Sequence, residues 1–324
     1  MRQFHIFLVA ILALAIPAIA QPLADRVPED AMLYVGWCGG DSMPSEFQGS
    51  RLKAVLDASN LPAVFNDFVP RLIARAALQD REAGQALSIM TGILGPMWRH
   101  PTAIYFSGLD LSGPQPVPHG GIICQAGDDL QSIVEKLNQL KQVSRGGAPI
   151  NWSTDKDTIN IFIGAQPDAP GKGLANSTPF KSALAKVRRG AALIFYADGE
   201  RLLALIDSGI KKGNDPQAMA YWPKILSASG LQGLGRVICA SGFDGKDWME
   251  EAFVEAPAPR KGLLAWGDAP PVPDDLLKCV PSTATFVSAG AFDAAAFIES
   301  IRSMVGEVDK TAQAKVDQGL GIVS

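Results

Sequence analysis

Two hydrophobic periods take turns along this chain, one near 3.6 residues and one near 2, so helices and strands are expected to alternate. The first apolar run is different. Ile6 to Ile16 is unbroken, follows Arg2, and is stopped by Pro17; Ala18-Ile19-Ala20 then gives a small-x-small pattern before Gln21. That layout predicts a secretory signal over residues 1–20, cleaved near Ala20-Gln21. At about 11 residues the run is far short of the roughly 20 that span a bilayer. No later stretch is long enough to do so, which predicts an exported chain with no transmembrane segment after signal removal.

The pattern then predicts a buried strand over Met32 to Trp37, after a turn at Val27-Pro28-Glu29-Asp30-Ala31. Turn formers fill Gly39 to Pro44. A helix is expected from Ser50, which can cap it, with Leu52, Val55 and Leu56 at helical spacing. Two more follow, over Ala63 to Ala77 and over Asp80 to Ile93, the second ending at Gly95-Pro96. Strands are expected at Thr102 to Ser107 and Gly121 to Gln125, joined by a Pro- and Gly-rich loop from Gly113 to Gly120. Asp128-Asp129 opens an amphipathic helix to Leu140, with Leu130, Ile133, Val134, Leu137 and Leu140 on one face. Ile150 to Ser153 and Thr158 to Ile163 read as a hairpin, and Pro167 to Gly173 as a loop.

A short helix is expected over Phe180 to Val187 and a buried strand over Ala191 to Tyr196. Helices from Asp198 to Ser208 and Pro216 to Ala228 come next. Leu234 to Phe243 and Trp248 to Ala256 alternate as a hairpin, with Asp244-Gly245 as its turn. Gly267 to Pro273 is the expected domain boundary, giving an α+β domain over 21–270. Beyond it, Val280-Pro281-Ser282-Thr283-Ala284 echoes Val27-Pro28-Glu29-Asp30-Ala31. An apolar run and a helix containing Phe297, Ile298 and Ile301 follow. Residues 271–324 would then begin a second, incomplete unit that packs on the first domain, unless the natural protein is longer. The expected class is α+β: mainly antiparallel sheet packed by amphipathic helices, with a partial repeat at the C-terminus.

Composition changes this picture little. The formal charge is −4, and the basic clusters are as short as Arg188-Arg189 and Lys211-Lys212, so nothing favours nucleic acid. Cys38, Cys124, Cys239 and Cys279 allow three pairings that sequence does not choose among. Export permits disulfides, but the first three sit in apolar strand-like runs and read better as buried free thiols.

Taken together, "VPEDAMLYVGW", "SRLKAVLDAS", "VICASGFDGKDWMEEAFVEAPAPRKGLLAW" and "CVPSTATFVSAG" resemble exported bacterial proteins that carry the domain of unknown function numbered 3352 (DUF3352). The resemblance spans most of the chain after the signal, and the hairpin is its most specific piece. It implies an exported α+β protein with repeated sheet units and brings no catalytic residues.

The residues themselves assemble no reaction. Trp37-Cys38-Gly39-Gly40-Asp41 is half a redox motif, with Asp41 where the resolving sulfur would stand. Ser50 and Lys53 have the Ser-x-x-Lys spacing, but the Ser-Asp-Asn and Lys-Thr-Gly elements are missing; a capping serine and a solvated lysine suffice. Gly40-Asp41-Ser42-Met43-Pro44 lacks the second glycine of a nucleophile elbow. His100 and His119 are the histidine bases available after the signal, and both lie beside Pro or Gly. His119 and Cys124 would point to opposite faces of a strand; His100, Asp110 and His119 could meet across a hairpin to hold a metal. Asp128-Asp129, Glu250-Glu251 and Asp274-Asp275 read as solvated or helix-starting pairs. Gly164 to Gly173 has the wrong spacing for a phosphate loop. Asn151-Trp152-Ser153 and Asn176-Ser177-Thr178 match the glycosylation acceptor, which acts only on a eukaryotic secretory path.

No catalytic, cofactor-binding or metal residue is therefore assigned, and no cofactor. The expectation is a non-enzymatic binding or scaffolding protein of the cell envelope, with an unidentified envelope protein or ligand as partner. A hydrolase with a dispersed site would instead need a concave pocket holding His100 or His119 beside a carboxylate. A carrier would need an apolar cavity. Trp37, Asp41 and His119 are the positions to probe first.

Overall fold

The computed structural model describes residues 22–113, 115–143, 150–164, 173–187, 190–268, 273–281, 284, 294–319 and 321. The expected signal, most of the loop at 167–173, positions 269–272 of the expected boundary, and the apolar run after Val280 lie outside these residues. By contacts the chain forms two units. One comprises residues up to Tyr196 together with Ile238–Phe253; the other comprises Ala197–Val237 and Val254 onward.

The fold is α+β, with an eight-stranded antiparallel sheet. Its strands are β1 (Leu33–Trp37), β2 (Thr102–Asp110), β3 (Val117–Gln125), β4 (Ile150–Asp155), β5 (Thr158–Ile163), β6 (Leu193–Asp198), β7 (Arg236–Asp244) and β8 (Asp247–Val254). The spatial order is β4-β5-β3-β2-β1-β6-β7-β8, so β4 and β8 are the edges.

Register follows the apolar pattern. Tyr34 lies opposite Tyr105, and Ala103 opposite Ile123. With Ile194, Tyr196, Ile238 and Ala240 they form one buried face. That face is closed by Leu23, Ala24, Val27 and Ala31 from the opening turns, and by Phe180 and Ala183 of α5 (Thr178–Leu184). The Tyr34 hydroxyl donates to the Pro22 carbonyl at 2.8 Å, so the opening turn is tied to the sheet. Phe180 packs edge-on to both Tyr34 and Tyr196.

The alternate residues make the opposite face. Val35, Ile104, Ile122, Ile161 and Trp152 stand directly across from one another, strand by strand. At the β3–β5 end this face is covered by α3 (Arg81–Arg99) and α4 (Leu130–Val143). Ile89, Ile93 and Met97 of α3 and Ile133 and Leu137 of α4 cluster there with Cys124, Ile159 and Ile161. Farther along, Ile104 is half exposed, and Phe195 of β6 is exposed too.

Before α3 come α1 (Arg51–Ala58) and α2 (Leu61–Gln79). Ser50 caps α1 as expected, its Oγ accepting from Lys53 N at 3.0 Å. Asp80 caps α3, accepting from the backbone of Glu82 and Ala83. One expected element is corrected: α3 does not stop at Gly95-Pro96 but runs on to Arg99. The Pro96 ring removes one helical hydrogen bond. Burial of Met97 in the core and the bond from His100 N to Pro96 O hold the last turn regardless. Strands β2 and β3 are also longer than expected, taking in Leu109, Asp110 and Val117 to Gly120.

In the second unit α6 (Gly199–Gly213) and α7 (Pro216–Ser229) are capped by Asp198 and Asp215. The short α8 (Asp274–Leu277) precedes α9 (Ala294–Val308), which packs on α7 and on α10 (Lys310–Gly319). Arg302 of α9 binds Asp317 of α10 at 2.6 Å. Among the described residues no helix is long and apolar enough to cross a membrane.

Candidate functional site

The chemistry-bearing residues that the fold brings together lie where β1 ends, α3 ends and β2 begins. Gly39 makes this possible. Its φ is +91°, and a Cβ there would stand 2.6 Å from the His100 carbonyl carbon, so only glycine lets the two strand ends meet so closely. Trp37, the last residue of β1, stacks on Trp98 with centroids 4.6 Å apart at 21°. Its Nε1 donates to the Trp98 carbonyl at 2.7 Å.

Arg99 then reaches two carboxylates. Its NH2 lies 2.9 Å from Asp41 and its NH1 3.4 Å from Asp129. The Asp41 hydrogen bond, and after it the two negative charges, raise its pKa further. His100 Nε2 lies 2.8 Å from the same Asp129 oxygen. Two of the three probe positions, Trp37 and Asp41, therefore fall in one cluster. His119 does not. It is exposed in β3 opposite Gly108, whereas Thr102, just after His100, pairs with Cys124. His100 lies eight residues along the chain from Gly108, the cross-strand partner of His119, roughly 26 Å at about 3.3 Å per residue.

That separation disposes of the one metal grouping considered across the hairpin. His100, Asp110 and His119 do not converge, and Asp110 instead accepts from the Ser112 backbone. Among the described residues no group of three or more His, Cys, Asp or Glu is placed to hold a metal ion.

Nucleophiles fare no better. All four cysteines are free. Burial pushes the Cys38 thiol up to about 11, and burial likewise raises Cys124 and Cys239. A reactive thiol needs the opposite shift. Ser50 is occupied as a cap, and Lys53 binds Asp57 at 2.6 Å. Asp275 binds Lys278. The cavity described in the first unit lies elsewhere, lined by Ala191, Ala240, Phe243, Met249 and Glu251 among others, and at about 10 Å³ it has room for a single water.

A second feature adjoins the cluster. Met90, Leu94 and Trp98 are 47%, 54% and 65% exposed and stand one turn apart on α3. On α2, Phe68, Leu72 and Leu78 are exposed as well. α2 and α3 are neighbours: a Cβ on Gly84 would lie 2.4 Å from that of Ala77. Monomeric surfaces seldom leave so many large apolar side chains uncovered on two adjoining helices.

Sequence reading overlooked Trp98, Arg99 and the uncovered row. The signal was present as Met90, Leu94 and Trp98 at strict spacing of four, beside a core row one residue earlier. Comparison with protein-family models, with curated proteins and with solved structures found no match.

Proposed function

We propose that this is an exported envelope protein that works by binding, as an adaptor or scaffold, and that the α2–α3 surface is where its partner sits. The carrying observation is the row Met90, Leu94 and Trp98, left uncovered on a helix whose neighbouring row is fully buried. Large apolar side chains, tryptophan and arginine side by side are what interface cores select. Membership of the DUF3352 family is part of the same proposal and rests on the sequence segments quoted above.

A photo-cross-linking residue in place of Leu94 tests this in the native envelope, against the same residue in place of Gln217 on α7, which is also exposed. A discrete adduct at 94 and not at 217 is expected. Equal labelling, or turnover of a substrate by the purified protein that is lost on His100→Ala, would replace the binding reading.

One observation favours the hydrolase alternative: His100 beside Asp129 has the geometry of an oriented base. Burial holds the Cys38, Cys124 and Cys239 thiols above their ordinary range, which counts against a thiol nucleophile there. The carrier alternative would need a cavity of about 300 Å³ or more.

A further inference from the structure

We infer that two copies of this chain pair edge to edge through β4, which extends the sheet across a two-fold axis. The inference goes beyond the reading above and does not rest on the α2–α3 surface. β4 pairs with β5 on one side, and among the described residues no strand lies beyond it on the other. Its outer backbone N–H and C=O groups are a template for one more strand.

The two ends of the sheet treat that template differently. β8 carries Asp247, Glu250 and Glu251 within 8 residues, the kind of charge that keeps an edge from pairing with its like. β4 reads Ile-Asn-Trp-Ser-Thr-Asp, with one acid at its very end and neither lysine nor proline. That acid, Asp155, faces Arg26 at 3.9 Å. An edge this plain is unprotected unless a strand is added to it.

What fits it is a second β4. A two-fold axis normal to the sheet runs the partner strand antiparallel and keeps the two faces of each copy continuous. Residue i then meets residue j only where both numbers are odd or both are even. Centred on Trp152, that register sets the two Trp152 rings side by side, each Asn151 opposite a Ser153 and each Ile150 opposite a Thr154. Amide meets hydroxyl, ring meets ring, and no like charges face each other. The pairing also covers what one copy leaves half covered. Ile150 and Trp152 are partly buried, as are Leu140 and Val143 of α4. Lys141 lies over the Trp152 ring at 5.6 Å, which places the end of α4 above this edge. Lys141 is exposed, so its ammonium group stays in water. For an adaptor, pairing gives two partner-binding faces where one chain has one.

Sedimentation equilibrium of the full chain tests the inference. The parent is expected at twice the 34.3 kDa of one chain at micromolar concentration. Asn151→Lys with Ser153→Lys places lysine opposite lysine at both pairs and should raise the dissociation constant at least about tenfold. Asn151→Lys with Ser153→Glu places opposite charges at the same pairs and should keep the dimer. Mixing the double-lysine variant with Asn151→Glu/Ser153→Glu should restore a dimer of one copy of each, which also shows that both variants fold.

A parent that sediments as one chain overturns the inference. So does a dimer that the double-lysine variant leaves intact, because the contact then lies elsewhere. A loss that neither the Lys–Glu variant nor the mixture restores overturns it too, because the effect is then not cross-strand. None of these outcomes bears on the Leu94 cross-link, so the binding reading stands or falls separately.

Discussion

Helix α3 carries two apolar rows of similar composition with opposite fates. Ile89, Ile93 and Met97 are buried against α4 and strands β3 and β5, while Met90, Leu94 and Trp98 face outward. They differ by one residue in register, or about 100° around the helix. An amphipathic helix that served the core alone would show one stripe and then polar residues. Here the apolar arc is about twice the width its own domain covers. Hydrophobicity along a helix therefore reports how much of it wants covering, and the fold decides which half is covered from within.

The sheet teaches the same lesson across strands. Ile161 and Ile104 lie in one cross-strand row, with Ile122 between them. Ile161 is buried beneath the helices, and Ile104 is half exposed. Side-chain type and strand position are equivalent; only the helical cover differs.

The largest effect that can break this comparison is on stability. Ile93→Ala should cost about 2–5 kcal/mol, because it removes a buried side chain and leaves a cavity between α3, α4 and the sheet. Urea unfolding measures it. A loss no greater than that from a change in the exposed row would mean that α3 is not anchored by its inner row.

Trp98→Ala should be intermediate. The Trp37 Nε1 bond goes to the backbone carbonyl of residue 98 and survives the substitution, whereas the stacked ring pair does not. About 0.5–1.5 kcal/mol is expected from losing that contact. A near-zero result would assign Trp98 wholly to the partner-facing row.

How much of this could be read from the sequence follows from the range of the forces involved. Ser50 as a cap, the hairpin turning at Asp244-Gly245 and the amphipathic α4 are local, and the residues that specify them are neighbours in the chain. α3 is longer than expected because Gly95-Pro96 is only a local stop signal, overridden by the burial of Met97 and the docking of Trp98 on Trp37. The cluster of Asp41, Arg99, His100 and Asp129 could not be read at all. Its members come from three segments, and what joins them is the close approach that Gly39 permits. A glycine after a strand reads as a turn; that it lies against residues 99–101 is a tertiary fact.

Cys38 sharpens the contrast between covered and bare groups by pH. Its thiol is held protonated up to about 11 by burial, while in the unfolded chain it ionises near its ordinary value of 9.0. The folded pKa is the higher one, so its contribution is intact below pH 9 and is lost as pH rises through 11. The unfolding midpoint should fall over that interval, and less steeply in Cys38→Ser. Identical slopes would show that the thiol is more solvated than its burial in the folded chain implies.

The smallest effect is the most informative about function. Leu94→Ser should leave stability within about 0.5 kcal/mol of the parent, because the side chain touches solvent more than protein. The same change should remove much of the binding assigned to this face. A helix residue that matters to the folded chain alone shows the reverse pattern, with stability falling and binding changing only as far as the protein unfolds. Measuring unfolding and cross-linked partner capture on the same Leu94→Ser and Ile93→Ala variants thus separates the two rows by the kind of loss rather than its size. If Leu94→Ser destabilised the protein by as much as Ile93→Ala, the outer row would belong to the core, and the case for a partner on α3 would fail with it.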